Sequence, residues 1–340
     1  MSFEVMNEER FSQLVNNFSD LKPLMVLGDV GIDKYTFGSV DRISPEAPVP
    51  VLNVKKEWLK LGMAANITHN LQTLNVPSTL FGVIGDDNHA NVFEELLEEQ
   101  GLKTWGLVRS EKRKTTFKER ILTDTQQICR VDYESLGPLT NEQTEDLKKR
   151  LDDLSENHSA IIIEDYAKGT LSEDLCQFAI KLFRDKNILV AVDPGRDIPA
   201  RFYRGANLLK PNLKEALLLT RSLGFNIKDP SEAAKVLAHE LEIDYIVITL
   251  GGEGILLFER ESKKETLIPT IPTEVYDVSG AGDTVISLLT SSLLSGATHE
   301  EACVIANCGA GVVVGKSGTA TVDQAELKRF FQKYREFIVG

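Results

Sequence analysis

Short apolar runs alternating with amphipathic stretches predict an α/β protein, with a mostly parallel sheet covered by helices on both faces. Three observations lead there. Apolar runs at 24–27, 79–84, 160–163, 188–192 and 245–249 each reach Gly or Asp within two residues. Stretches at 88–100, 172–185 and 230–241 follow with helical spacing of apolar residues. Two segments, 35–54 and 115–131, break the rhythm: both are rich in β-formers and carry no helix. They are expected to form a small β-stranded lid on the main sheet, with ordinary surface hairpins as the alternative. In such sheets ligands gather at the carboxyl ends of the strands, so polar residues just past each run are the ones to weigh.

Taken in order, residues 1–10 are acid-rich and lack the apolar stretch of an export signal. Phe11, Leu14, Val15, Phe18 and Leu21 recur at helical spacing, so residues 1–22 are expected to dock as an amphipathic helix. The run 24–27 is the first strand. Pro45, Pro48 and Pro50 mark the first lid segment as edge-like. Residues 63–74 form a helix before the second run. The apolar stretch 285–294 is interrupted by Ser and Thr and is too short to span a bilayer. One domain over 23–325 and a C-terminal helix over 326–340 complete the chain. A soluble cytoplasmic protein is expected, and the bare lid edges are expected to pair with a second subunit.

Composition sets limits on function. The 340 residues carry 38 Lys and Arg against 51 Asp and Glu, a net charge of −13. That balance argues against a general nucleic-acid binder but not against a small anionic substrate held by local cations. Cys129, Cys176, Cys303 and Cys308 lack zinc-like spacing, and the five histidines (His69, His89, His158, His239, His299) form no metal or triad pattern. The string Gly311–Ser317 resembles a P-loop ending, but Ala310 stands where the first P-loop glycine belongs. No GxGxxG follows the first strand.

The strongest motif is Asp277-Val278-Ser279-Gly280-Ala281-Gly282-Asp283-Thr284, followed by an apolar helix. Small residues at Gly280, Ala281 and Gly282 let backbone N–H groups converge at a helix N-terminus, where the helix dipole favours an anion. A first-turn carboxylate can then reach a hydroxyl beside that anion. This suits phosphoryl transfer, with the amides on the phosphoryl group and Asp283 accepting the hydroxyl proton. The plain alternative is a glycine-rich cap with Asp283 as a helix-start carboxylate.

The octet resembles the C-terminal signature of the ribokinase-like (PfkB) carbohydrate kinases. The resemblance runs from about Leu24 to Thr321, through Gly28-Asp29 and Asp33, Gly62-Met63-Ala64-Ala65-Asn66, Gly82-Val83-Ile84-Gly85-Asp86-Asp87, Lys210-Pro211-Asn212-Leu213-Lys214-Glu215 and Thr249-Leu250-Gly251-Gly252-Glu253-Gly254. Within that family, Asp41–Val51, Glu164-Asp165-Tyr166-Ala167-Lys168-Gly169, Glu274-Val275-Tyr276 and Gly309–Lys316 look like the D-glycero-D-manno-heptose 7-phosphate kinases. The resemblance implies a ribokinase-like three-layer sandwich with a β lid. It also implies ATP-dependent phosphorylation of an anomeric hydroxyl, giving heptose 1,7-bisphosphate on the route to ADP-heptose for lipopolysaccharide.

Residue roles follow from the resemblance. Asp29 and Asp33 would accept hydrogen bonds from sugar hydroxyls, or else cap turns. Asn66 would donate to and accept from a polyol, and Gly62 would allow close approach. Many family members have Gly where Met63 stands. Lys168, Arg120 and Arg130, with Arg42 as a similar case, would meet the substrate phosphate, unless they are solvated surface charges. Asn212, Thr249, Gly251, Gly254 and Asn307 would line the ATP site. Glu215 would organise Mg²⁺ through water, with helix-dipole complementarity as the alternative, and Asp193 would sit near the metal. Asp277 is the candidate for a monovalent cation, K⁺. A homodimer through the lid and a separate nucleotidyltransferase are expected, since no HxGH string occurs. Two other readings stay open: a kinase of this fold for another sugar, and an inactive nucleotide-binding regulator.

Overall fold

The computed structural model describes residues 6–271, 274–316, 318 and 320–339, with no side chains described beyond 335. Met1–Val5 of the expected first helix, Ser317 of the P-loop-like string and Gly340 lie outside the described residues.

The chain opens with α1 (Glu8–Asn16), capped by the Asn7 side chain, which accepts from the Arg10 N–H at 2.8 Å. Its apolar residues Phe11, Leu14 and Val15 are buried. A 3₁₀ turn, Asn17–Asp20, ends the helix before the expected Leu21. Next come β1 (Leu24–Gly28), the long hairpin β2 (Val30–Ile43) and β3 (Pro50–Met63), α2 (Ala64–Thr73), β4 (Ser78–Gly85), α3 (Asn88–Glu99) and β5 (Gly106–Ser110). The second hairpin is β6 (Thr116–Leu122) and β7 (Gln127–Tyr133). Then follow α4 (Asn141–Ser155), β8 (Ala160–Glu164), α5 (Glu173–Asp185), β9 (Leu189–Asp193), β10 (Leu208–Leu209), α6 (Leu213–Ser222), α7 (Pro230–Glu240) and β11 (Tyr245–Thr249). The antiparallel pair β12 (Ile255–Glu259) and β13 (Glu265–Ile268) leads into α8 (Ala281–Leu294), α9 (His299–Val314) and α10 (Gln324–Val339).

Nine strands form the main sheet in the order β13-β12-β11-β10-β9-β8-β1-β4-β5, parallel from β11 to β5. Among the described strands of this sheet, β12 alone runs against the others, paired antiparallel with β11 and with the edge strand β13. Alternate residues of the central strands feed two cores. Leu24, Val26 and Ile162 pack with α1, α2, α3, α8, α9 and α10; Met25, Leu27, Ile161 and Ile163 pack with α4, α5, α6 and α7. That two-sided burial explains why these strands are continuous apolar runs rather than alternating ones. At Gly28 a Cβ would lie 2.1 Å from the Glu164 carbonyl oxygen, so only glycine lets β1 and β8 stay paired at the ends that carry the site.

The second sheet, in the order β3-β2-β6-β7, is the expected lid with longer arms. Its strands begin at Val30, directly after Asp29, and continue to Met63, so the hairpin grows out of the main sheet without a linker. Register places Lys60, Asp33, Lys118 and Asp132 side by side across it, and Trp58, Tyr35, Arg120 and Arg130 form the next row on the same face. No helix among the described residues is long and apolar enough to cross a membrane.

Candidate active site

The carboxyl ends of β1, β8, β9 and β10 converge on the N-terminus of α8. Asp277 builds the approach: its two carboxylate oxygens accept from the N–H groups of Ser279 (2.9 Å) and Gly318 (3.1 Å). Burial pushes its pKa up, but these hydrogen bonds outweigh burial and hold it below the usual value. Gly280 then caps the helix with φ +81°, a conformation that favours glycine. The Ala281 N–H is committed to the Val278 carbonyl at 3.2 Å. The expected amide cradle therefore moves one residue along, to the first-turn N–H groups of Gly282 and Asp283, which lack intrahelical acceptors.

Asp283 is 5 % exposed. Its Oδ2 accepts from Asn66 Nδ2 at 2.5 Å and its Oδ1 from the Tyr166 hydroxyl at 3.1 Å. Thr284 locks α8 to α2 by donating to Asn70 Oδ1, while Asn70 donates to the Asn66 carbonyl. Burial pushes the Asp283 pKa up to about 6, against the pull of Asn66, Tyr166 and Lys210. A carboxylate so placed is a strong hydrogen-bond acceptor that still ionises near neutral pH.

Two more carboxylates stand beside it. Oxygens of Glu164, Asp193 and Asp283 lie within 4.8 Å of one another, and all three side chains are buried. Lys210, 3 % exposed, reaches Asp193 at 2.7 Å. Burial lowers its pKa, yet Asp193 and Glu164 more than compensate and keep it an ammonium. Burial and the neighbouring acids drive Glu164 well above the usual range. A Cβ at position 282 would sit 3.5 Å from Lys210 Nζ, so the lysine overlooks the amide cradle itself.

On one side of this centre lies a cavity of about 820 Å³, roomy enough for a nucleoside triphosphate. Its polar lining includes Lys210, Asn212, Glu215, Asp193 and Glu164, and its apolar lining includes Ile255, Ile271, Val275 and Ala310. Asn212 and Glu215 form a reciprocal capping box at the start of α6, so Glu215 does the helix-start work foreseen as the alternative while also facing the cavity. Thr249, Gly251 and Gly254 line the wall after β11. Gly254 has φ +108°, and a Cβ there would meet the Ile268 carbonyl oxygen at 2.0 Å. Asn307 donates to the Pro269 carbonyl at 2.7 Å and ties α9 to the end of β13 at the cavity edge. The donor set suits a hard divalent cation. Carboxyl groups of Glu215, Asp193 and Glu164 share the cavity, and the buried Glu164 Oε2 has no hydrogen-bond partner among the described residues.

On the other side the second sheet presents its cationic face. Asp33 pairs with Arg120 at 2.5 Å, above Gly62, where a Cβ would come within 2.9 Å of Asp33 Oδ2. Arg130 makes a two-point contact with Asp132, and Lys168 pairs with Glu134 at 2.9 Å. Arg42 is exposed on the outer part of β2. Lys118 lies amid Lys168, Asp33, Glu134 and Asp132, and has no ion pair among the described residues. Burial, then the like charge of Lys168, lowers its pKa.

Asp29 takes up the backbone role given above as its alternative. Its carboxylate is 1 % exposed and accepts three backbone N–H groups, from Tyr166 (3.1 Å), Lys168 (2.9 Å) and Thr170 (3.0 Å). It pins the loop after β8, leaving Asp33 and Asn66 as the polar groups nearer the centre. Asp277 likewise spends its oxygens on backbone amides rather than standing open for a cation. Tyr166, Lys210, Glu164 and Lys118 carry no role in the sequence reading. All but Lys118 lie at or just past strand ends, a position that could have pointed to them.

Comparison with known proteins agrees with this geometry. The model of the pfkB family carbohydrate kinases matches residues 31–326. The "Bifunctional protein HldE" of Nitratiruptor sp. is 39 % identical over 320 residues, covering 93 % of this chain and 66 % of that protein. That of Haemophilus influenzae is 40 % identical over 306 residues, covering 90 % and 62 %. The chain thus spans somewhat less than two thirds of the length of these curated relatives. Among solved structures, Arabidopsis thaliana ribokinase complexed with ribose and ATP has a TM-score of 0.71 at 20 % identity, covering 92 % of this chain and 99 % of that one. Escherichia coli phosphofructokinase-2 in complex with substrates and products has 0.73 at 17 %, covering 93 % and 100 %. The sheet and the second sheet are those of a ribokinase-like fold, and the chain belongs to the pfkB family of carbohydrate kinases.

Proposed function

We propose that this carbohydrate kinase transfers the γ-phosphoryl group of ATP to the anomeric hydroxyl of D-glycero-D-manno-heptose 7-phosphate, giving the 1,7-bisphosphate used for ADP-heptose and lipopolysaccharide. The observation that carries the reading is the pairing of a buried base, Asp283, with a cationic lid face fit for a substrate that already bears a phosphate. The likeness to HldE relatives supports it.

In this reading the sugar lies between Asn66, Asp33 and the lid. Its anomeric O–H reaches Asp283, which takes the proton as the oxygen bonds to the γ-phosphorus and the bond to the ADP oxygen breaks. The N–H groups of Gly282 and Asp283, with the Lys210 ammonium, hold the charge that builds on the phosphoryl oxygens. Bound Mg²⁺, near Glu215 and Asp193, would neutralise the phosphates. Closing the lid excludes water from this step. An ATP-consuming step of this kind belongs in the cytoplasm. We assign the open edges of the lid sheet to a homodimer contact, and a monomeric mass by light scattering would remove it.

The substrate phosphate would settle on Lys118. Each of Arg120, Arg130 and Lys168 already faces a carboxylate, whereas Lys118 is the surplus cation of the cluster, half-buried beside Lys168. In an ADP-release assay, wild type is expected to prefer heptose 7-phosphate to the free heptose. Lys118→Met is expected to cut that preference about 10- to 100-fold, the loss of a charge-assisted contact worth ~1.5–3 kcal/mol. A wild type that prefers the free sugar removes the heptose phosphate reading itself. A variant that keeps the wild-type preference removes only Lys118.

A further inference from the structure

We propose that Tyr166 is a dummy acceptor, whose hydroxyl occupies Asp283 while no sugar is bound and so keeps water from taking the phosphoryl group. The proposal rests on Asp283 as the base.

A buried base beside a phosphoryl donor accepts a proton from any O–H that reaches it, water included. In this structure both oxygens of Asp283 are engaged, one by the Asn66 amide and the other by the Tyr166 hydroxyl. The Asn66 amide nitrogen carries no nucleophilic lone pair. The Tyr166 O–H, by contrast, makes the same hydrogen bond that an acceptor sugar must make.

The backbone beneath Tyr166 is fixed. Asp29 accepts the N–H groups of residues 166, 168 and 170, and Arg113 donates to the Lys168 carbonyl at 2.8 Å. Asp165 accepts from the Tyr203 hydroxyl at 2.7 Å and from the Ala167 N–H. Ala167 itself is held at φ +57°. Only the side chain is left to move, and the 36 % of Tyr166 that is exposed borders the cavity beside Asp283. The 3.1 Å contact is long for a hydroxyl on a carboxylate, where 2.5–2.7 Å is usual, so a polyol with several partners displaces it. A lone water has no such set of partners.

The phenol is a poor nucleophile here. Its hydroxyl donates to Asp283, so its proton points at the base and not its oxygen at a phosphoryl donor. The groups facing Asp283 are Asn66 from α2, Tyr166 from the β8–α5 loop, Glu164 from β8, Asp193 from β9, Lys210 after β10 and Asp33 from β2. Among them Tyr166 alone presents a neutral hydroxyl.

The suppressed reaction balances simply. Water oxygen bonds to the γ-phosphorus, its proton passes to Asp283, and the phosphorus–oxygen bond to ADP breaks, giving ADP and inorganic phosphate. Tyr166→Phe removes the blocking hydroxyl and keeps the ring. With MgATP and no sugar, its phosphate release is expected to rise about tenfold or more over wild type. Misfolding lowers both rates and cannot imitate that gain. Adding Asp283→Asn is expected to abolish it. Unchanged or slower hydrolysis in Tyr166→Phe overturns the proposal, and so does a gain that survives in the double variant.

Discussion

Asp283→Asn is expected to lower kcat by about 10²- to 10⁴-fold while the KM for ATP stays within a few-fold. Asparagine keeps the shape of the side chain: its oxygen can still accept from Asn66, and its NH2 can donate to the Tyr166 hydroxyl oxygen. What is lost is the capacity to take a proton. The amide cradle at Gly282 and Lys210 are untouched, so nucleotide binding survives. The environment also sets the pH response. Asp283 is raised to about 6, and as a base it works only when ionised. Activity of the wild type should therefore fall as the pH drops through about 6, rather than near 4 where a free aspartate would protonate. A steady-state pH profile reads this directly. Retained turnover in Asp283→Asn would remove the base assignment and return the residue to a helix-start role.

Lys210→Met is expected to act on stability and catalysis together. Its ammonium is the buried countercharge closest to Asp193, within a group that also holds Glu164 and Asp283. Removing it leaves carboxylates buried without a partner, a loss that runs to about 3–5 kcal/mol when the orphaned charge cannot neutralise. These carboxylates can neutralise by taking up protons. The destabilisation should thus be larger at pH 8 than at pH 5, read as the shift in denaturation midpoint at each pH. Lys210 pulls the raised pKa values of Asp193 and Glu164 back down, so without it the folded state holds their protons to higher pH, while the unfolded chain releases them above pH ~4–5. On the catalytic side, kcat/KM for ATP should fall about 10²- to 10³-fold, since one preorganised cation over the transferring phosphoryl group is gone. An equal loss of stability at both pH values would show that Lys210 does not compensate these acids.

The layering of the fold was legible because its physical cause is local. Strands buried on both faces must be continuous apolar runs, and the runs at 24–27, 160–163 and 188–192 are strands β1, β8 and β9. The two-residue β10 was too short to leave a pattern, and the antiparallel β12–β13 edge did not stand out from the rhythm of β11. The octet at 277–284 marked the helix start, but not that the Ala281 amide is consumed by Val278. That depends on a turn, and composition does not report it. Asp29 is the clearest lesson. Its place after the first strand suggested a ligand contact or a turn cap, and three amides of a loop some 140 residues away engage it. Lys210 and Tyr166 were hidden for the converse reason. Each stands in a quoted motif, but its meaning comes from the partners that the sheet order brings across, Asp193 for one and Asp283 for the other.

The most direct test of the central claim is phosphorus NMR of the product formed from MgATP and D-glycero-D-manno-heptose 7-phosphate. A second phosphate resonance coupled to the anomeric proton is expected beside the original 7-phosphate. A new phosphate on any other oxygen, or no turnover of the heptose phosphate while an unphosphorylated hexose is consumed, would contradict it.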